Sequence, residues 1–154
     1  TLLSENNYSR YEVSAFSQPG KRAAHNVNYW QFGDYLGIGA GAHGKITRWQ
    51  DGVPSIIRTN KTRQPGHYLQ DQKLIQNSVP QEEITIEFLM NTLRTTEGFS
   101  REVFESRTGL AADSLNDFVD RGVAKKLLDR SSNRIYPTEF GLQFLNDLLL
   151  IAEE

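Results

Sequence analysis

The sequence predicts an α+β protein in two parts, a strand-and-turn region over residues 1–66 and a largely helical region over residues 67–154. Three observations predict it. The first part is rich in Gly and aromatic residues and alternates in places as strands do. The second repeats apolar residues at helical spacing. Between them lies a polar stretch, residues 60–66, that contains Pro65-Gly66 and has the composition of a linker.

Residues 8–16 alternate over part of their length and read as one strand, ended by Gln18-Pro19-Gly20. Residues 35–40, YLGIGA, read as a small-residue strand in which backbone approaches something closely. Residues 45–49 and 53–58 flank Gln50-Asp51-Gly52, a hairpin signal. In the second part Ile86, Leu89, Met90 and Leu93 form one helix face, and Ser78 lies three residues before Gln81 as in a capping box. A short helix over 101–108 is closed by Gly109. The next, over 113–121, turns Leu115, Phe118 and Val119 inward. Residues 126–129 and 134–136 pair around the turn at 130–133. Thr138 then caps a last helix with Leu142, Leu145, Leu149 and Ala152 on its apolar face. Helix, helix, helix, hairpin, helix is close to a winged-helix arrangement.

Composition narrows the chemistry. The chain has no cysteine, which excludes disulfides, thiolate nucleophiles and cysteine-held iron–sulfur clusters within it. A formal charge of −2 does not promise the basic face of a nucleic-acid binder. No apolar run approaches the roughly 18 residues of a membrane span. The start, TLLSE, has neither an initiator Met nor a signal peptide, which predicts a piece of a longer, cytoplasmic protein.

The densest constellation is Lys21-Arg22, then His25-Asn26-Val27-Asn28-Tyr29-Trp30. In one helical turn His25 and Tyr29 share a face at i, i+4. An imidazole beside large aromatics suits a flat apolar ligand with a central metal, of which haem is one, with Lys21 or Arg22 for the propionates. The plain alternative is that Tyr29 and Trp30 are core and His25 makes a structural hydrogen bond. Gly39-Ala40-Gly41-Ala42-His43-Gly44 fits G-x-G-x-x-G, yet a strand follows where a dinucleotide site needs a helix. Tight packing, or backbone contact with a nucleoside through Leu36, Gly37 and Gly39, are the remaining readings of that segment. His43 and His67 have no metal-ligand spacing with His25. Asp113, Asp117 and Asp120 on the candidate recognition helix argue against duplex DNA, whose affinity comes from Lys and Arg.

Residues 11–14 (YEVS), Pro19-Gly20, residues 25–30 (HNVNYW) and residues 33–44 (GDYLGIGAGAHG), in this order and spacing, resemble the radical-SAM oxygen-independent coproporphyrinogen III oxidase-like family, in its haem-chaperone HemW branch. The region from about 82 to the end is similar to that family's C-terminal helical domain. The resemblance implies an upstream partial TIM barrel, absent here, that holds a [4Fe–4S] cluster on CxxxCxxC and binds S-adenosylmethionine. Residues 1–66 would be the C-terminal strands of that barrel. It implies that His25, within HNxxYW, ligates haem with Asn26, Tyr29 and Trp30 around it. The partners implied are haem, haem-acceptor proteins and the missing barrel, with no nucleic acid. Oxidative decarboxylation of coproporphyrinogen III and a winged-helix DNA-binding module are the rival functions. The decarboxylases carry a sequence of the type NFQGYT where this chain has HNVNYW.

Overall fold

The structure, a computed structural model, describes residues 2–70 and 74–153. The elements run α1 (Leu2–Glu5), β1 (Ser9–Arg10), β2 (Phe16–Ser17), α2 (Ala24–Trp30), β3 (His43–Gln50), β4 (Val53–Lys61), α3 (Pro65–Gln70), β5 (Leu74–Ser78), α4 (Ile84–Thr92), β6 (Phe99–Ser100), α5 (Arg101–Thr108), α6 (Asn116–Ala124), β7 (Leu128–Arg130), β8 (Arg134–Pro137), α7 (Glu139–Gln143) and α8 (Leu145–Leu150). Two compact units result, Thr1–Phe32 with Thr85–Glu154, and Gly33–Ile84. Contact thus groups the first 32 residues with the helical part, where composition alone groups them with the strands. Among the described residues no helix is long and apolar enough to cross a membrane.

In the first unit, residues 8–16 form a hairpin instead of the expected single strand. The Glu12 carboxylate accepts the Ser14 N–H at 2.8 Å and its hydroxyl at 3.1 Å, and the Tyr11 N–H donates to the Ala15 carbonyl at 3.0 Å. Such local side-chain bonds turn the backbone. Strands β1 and β2 then pair antiparallel, Ser9 with Ser17 and Arg10 with Phe16. The turn at Gln18-Pro19-Gly20 forms as expected, with Gly20 at φ 72°.

The core is built on α4. Phe88, Leu89 and Leu93 are fully buried, whereas Met90 is 52% exposed. The expected stripe through Ile86 and Met90 is therefore displaced toward Phe88. The Phe88 ring meets Phe32, Phe99 and Phe104 edge-on at 5.6, 4.9 and 5.1 Å, which is the favoured geometry of aromatic quadrupoles. Ser78 lies in β5 and does not cap, and the turn Gln81–Glu83 before α4 starts at Pro80 with no side-chain cap. Helix α5 has the expected close, Gly109 at φ 70°, and Ser100 caps its start by accepting the Val103 N–H. Leu115, Phe118 and Val119 are buried as expected. Strands β7 and β8 form the expected hairpin, and β6 joins β8 on its other side, giving the order β6-β8-β7. Thr138 caps α7 by accepting the Gly141 N–H at 2.9 Å. The last helix is broken at Phe144, with φ −112° and ψ 44°. The break rotates the apolar face, so Leu142, Leu148 and Ile151 are buried while Leu145, Leu149 and Ala152 are half-buried.

The second unit is an antiparallel meander, β3-β4-β5. A two-residue Asp51-Gly52 turn, φ 52° and 79°, joins β3 to β4. Both positive φ values match the twist of the flanking strands. Strand β4 continues through Asn60 and Lys61, so the expected linker begins as sheet, and α3 occupies its end. The strand expected over 35–40 is reduced to one bridge, Tyr35 with Lys45. Every described strand pairing in the molecule is antiparallel, whereas TIM-type barrel strands run parallel.

Candidate functional site

Helix α2 is two turns long, and its N-cap, Ala23, offers no side-chain cap. Its i, i+4 geometry sets the His25 and Tyr29 rings on one face, 6.3 Å apart at 82°. Both residues are exposed. Asn26 is half-buried. Trp30 points elsewhere and meets Tyr11 edge-on at 5.6 Å. Beside it, a cavity of about 30 Å³ is bounded by Tyr11, Arg22, Val27 and Glu97, room for a water and not for a macrocycle. The structure therefore separates the two aromatics of the hexapeptide. Tyr29 shares the face of His25, and Trp30 fastens the helix.

The basic pair divides in the same way. Arg22 donates to Glu97 at 2.6 Å and lies 5.4 Å over the Tyr11 ring. The Glu97 hydrogen bond raises the pKa of Arg22, and the same bond holds the Glu97 carboxyl below its ordinary value. Lys21 is exposed and is the cation left for an anionic ligand. Deeper in, Glu12 is 1% exposed and meets Arg94 at 2.6 Å. Burial pushes the Glu12 carboxyl up, but the Ser14 amide and Arg94 outweigh it, and the net shift is downward. Sequence reasoning noted Tyr11 and Glu12 only within the YEVS motif, gave them no part in the site, and missed Arg94 and Glu97. Their partners lie up to 85 residues away, and the one local signal was a charge inside an alternating apolar segment.

Leu36 and Ile38 are 76% and 89% exposed, on either side of Gly37. A Cβ at Gly37 would collide with the His43 backbone, and Gly39 sits at φ 104°, where L residues are rare. Both glycines thus have reasons internal to the loop. The strand β3 that follows removes the dinucleotide reading, as expected. Inside the sheet Lys45, almost fully buried, donates to Asp34 at 3.0 Å, and Thr47 donates to the same carboxylate through its N–H and hydroxyl. Burial raises the Asp34 carboxyl, and the bonds from Thr47 and Lys45 more than reverse it. His43 and His67 are exposed. Among the described residues no three His, Asp or Glu side chains converge on a metal position.

Known proteins resemble the chain in sequence and in fold. Residues 79–144 match the HemN C-terminal domain. Over 149 residues the chain is 42% identical to "Heme chaperone HemW" of Escherichia coli (strain K12), covering 96% of the chain and 39% of that protein. The protein of that name from Bacillus subtilis (strain 168) is 32% identical over 142 residues, 90% of the chain and 36% of that protein. The chain thus spans about two-fifths of the length of the curated relatives it matches. Among solved structures, the radical SAM coproporphyrinogen III oxidase (HemN) of Escherichia coli superimposes with a TM-score of 0.59 over 98% of the chain and 38% of its own. At 12% identity this likeness is one of fold.

Proposed function

We propose that the chain belongs to the family of the heme chaperone HemW, with residues 79–144 matching the HemN C-terminal domain, and that it presents haem for delivery to acceptor proteins. The observation that carries this reading is the open His25–Tyr29 face of α2, with Trp30 anchored behind it. His25 would ligate the iron, Tyr29 would lie against the macrocycle, Asn26 would border it, and Lys21 would meet a propionate. An exposed ligand suits cargo that must leave again.

The [4Fe–4S] cluster of the radical-SAM family does not fit the residues present, since the chain has no cysteine. We place the cluster and its TIM-type barrel in the part of the relatives' length that this chain does not span. Residues 1–66 would adjoin that barrel, with the backbone at Leu36, Gly37 and Gly39 facing the nucleoside of S-adenosylmethionine. The exposure of Leu36 and Ile38 supports a partner there. The order α4, β6, α5, α6, β7, β8 supports a winged-helix reading of the second part. On that module Arg121 and Arg130 pair with Asp117 and Asp120, which favours protein packing over phosphate contact. The proposed place of action is the cytoplasm.

His25→Ala tests the site in the full-length protein and in this chain. The Soret band of bound haem should shift and affinity should fall. Binding should survive in part, because apolar burial still contributes about 25 cal/mol per Å². His43→Ala and His67→Ala should leave the spectrum unchanged. A His25→Ala protein with wild-type spectrum and affinity in both forms makes His25 structural.

A further inference from the structure

Helix α2 is fastened from outside itself, and one residue of the helical domain does much of the fastening. Arg22, two residues before the helix, donates to Glu97 at 2.6 Å. The Tyr11 hydroxyl accepts the N–H of Ala23, the uncapped N-cap, at 3.4 Å, and the Tyr11 ring braces Trp30, the last residue of the helix. Tyr11 is itself held by the Thr96 N–H, which donates to its carbonyl at 3.1 Å. Both ends of α2 therefore report to the loop between α4 and β6. That loop is stiff. Arg134 of β8 donates to the carbonyls of Glu97 and Gly98 at 2.9 and 3.1 Å. Gly98 has φ 57°, and a Cβ there would collide with the Ile135 carbonyl.

We infer that Glu97 is a positioning residue for the haem ligand: by gripping Arg22 at the entrance to α2, it lets the helical domain set the direction in which His25 and Tyr29 face. This rests on the haem reading of His25. Exposed ion pairs contribute little to stability. The Arg22 and Glu97 side chains are 43% and 53% exposed. A role in stability and a role in positioning are for that reason separable.

The test is Glu97→Gln in the full-length protein loaded with haem, beside His25→Ala. Expected are a severalfold faster loss of haem to apomyoglobin and a changed ferric EPR signal, with the thermal midpoint unmoved. Glu97→Asp, which keeps the charge, should restore most of the wild-type signal. Arg22→Gln should match Glu97→Gln, and the double variant should add nothing. A Glu97→Gln protein with wild-type EPR and release rate, where His25→Ala alters both, overturns the inference and leaves the haem site standing. Spectral change that merely follows a lowered thermal midpoint also overturns it. If His25→Ala alters neither readout, the haem reading fails and this inference with it.

Discussion

The displaced face of α4 gives a stability prediction that periodicity alone would put elsewhere. Phe88 is fully buried and its ring has three edge-on aromatic partners, while Met90, two residues on, is 52% exposed. Truncating a buried Phe to Ala costs about 3–5 kcal/mol, through lost transfer energy and the cavity left behind. Each edge-to-face pair adds about 0.5–1.5 kcal/mol beyond burial, so Phe88→Ala belongs at the upper end of that range. For a chain of this size, about 2–4 °C is lost per kcal/mol, so a cost near 5 kcal/mol lowers the thermal midpoint by roughly 10–20 °C. Met90→Ala should stay within about 0.5 kcal/mol of wild type. The assay is guanidinium unfolding followed by circular dichroism, with the slope checked so that only the midpoint moves. Phe88→Leu, which leaves a smaller cavity, should fall between the two. If Phe88→Ala costs less than about 1 kcal/mol, or Met90→Ala costs as much as Phe88→Ala, the core is not where the aromatic cluster places it.

Two further outcomes follow from buried polar and backbone contacts. The Glu12 carboxyl is held below its ordinary value of 4.5, so its contribution to stability is present above that pH and is lost as pH falls through the lower folded value. Acid titration of unfolding should therefore show stability falling below about pH 4.5, and Glu12→Gln should flatten that limb; an unchanged limb would show that the Glu12–Arg94 pair is not the cause. Gly37→Ala forces a Cβ into the His43 backbone, so amide exchange at Tyr35 and Lys45, which bond each other across the loop, should accelerate, and wild-type protection there would contradict the close approach.

What was legible in the sequence was local. Asp51-Gly52, Gly109 and Thr138 each carry a turn or cap whose geometry is set by one or two residues, and each sits where it was read. The hexapeptide likewise placed His25 and Tyr29 on a shared helix face. Much of what failed depended on distant chain. The segment 8–16 looks like a strand until Glu12 turns back on Ser14 and reaches Arg94. The α4 stripe is ambiguous by one residue until Phe32, Phe99 and Phe104 meet Phe88. Strand β5 is polar at three of its five positions and exposed throughout, so neither alternation nor burial announces it, and its pairing with β4 supplies the evidence.

The same distinction bears on how the hexapeptide can act. Isolated helices shorter than about 12–15 residues are marginal in water, because nucleation fixes several dihedrals for the first hydrogen bond. Helix α2 has seven residues and no side-chain cap at its start. Its propensity is also weak, since His, Asn, Val, Tyr and Trp all rank below Ala and Leu. HNVNYW would not hold His25 and Tyr29 together on its own. The tertiary ties supply that order, Tyr11 at both helix ends and Glu97 through Arg22. On the proposed haem reading the motif would specify which side chains face the cargo, while Tyr11, Arg22 and the 94–98 loop would specify that they face it together. Transplanting residues 25–30 into another helix should then carry over the ligand without its orientation, whereas a transplant that includes Tyr11, Arg22 and the 94–98 loop should carry over both.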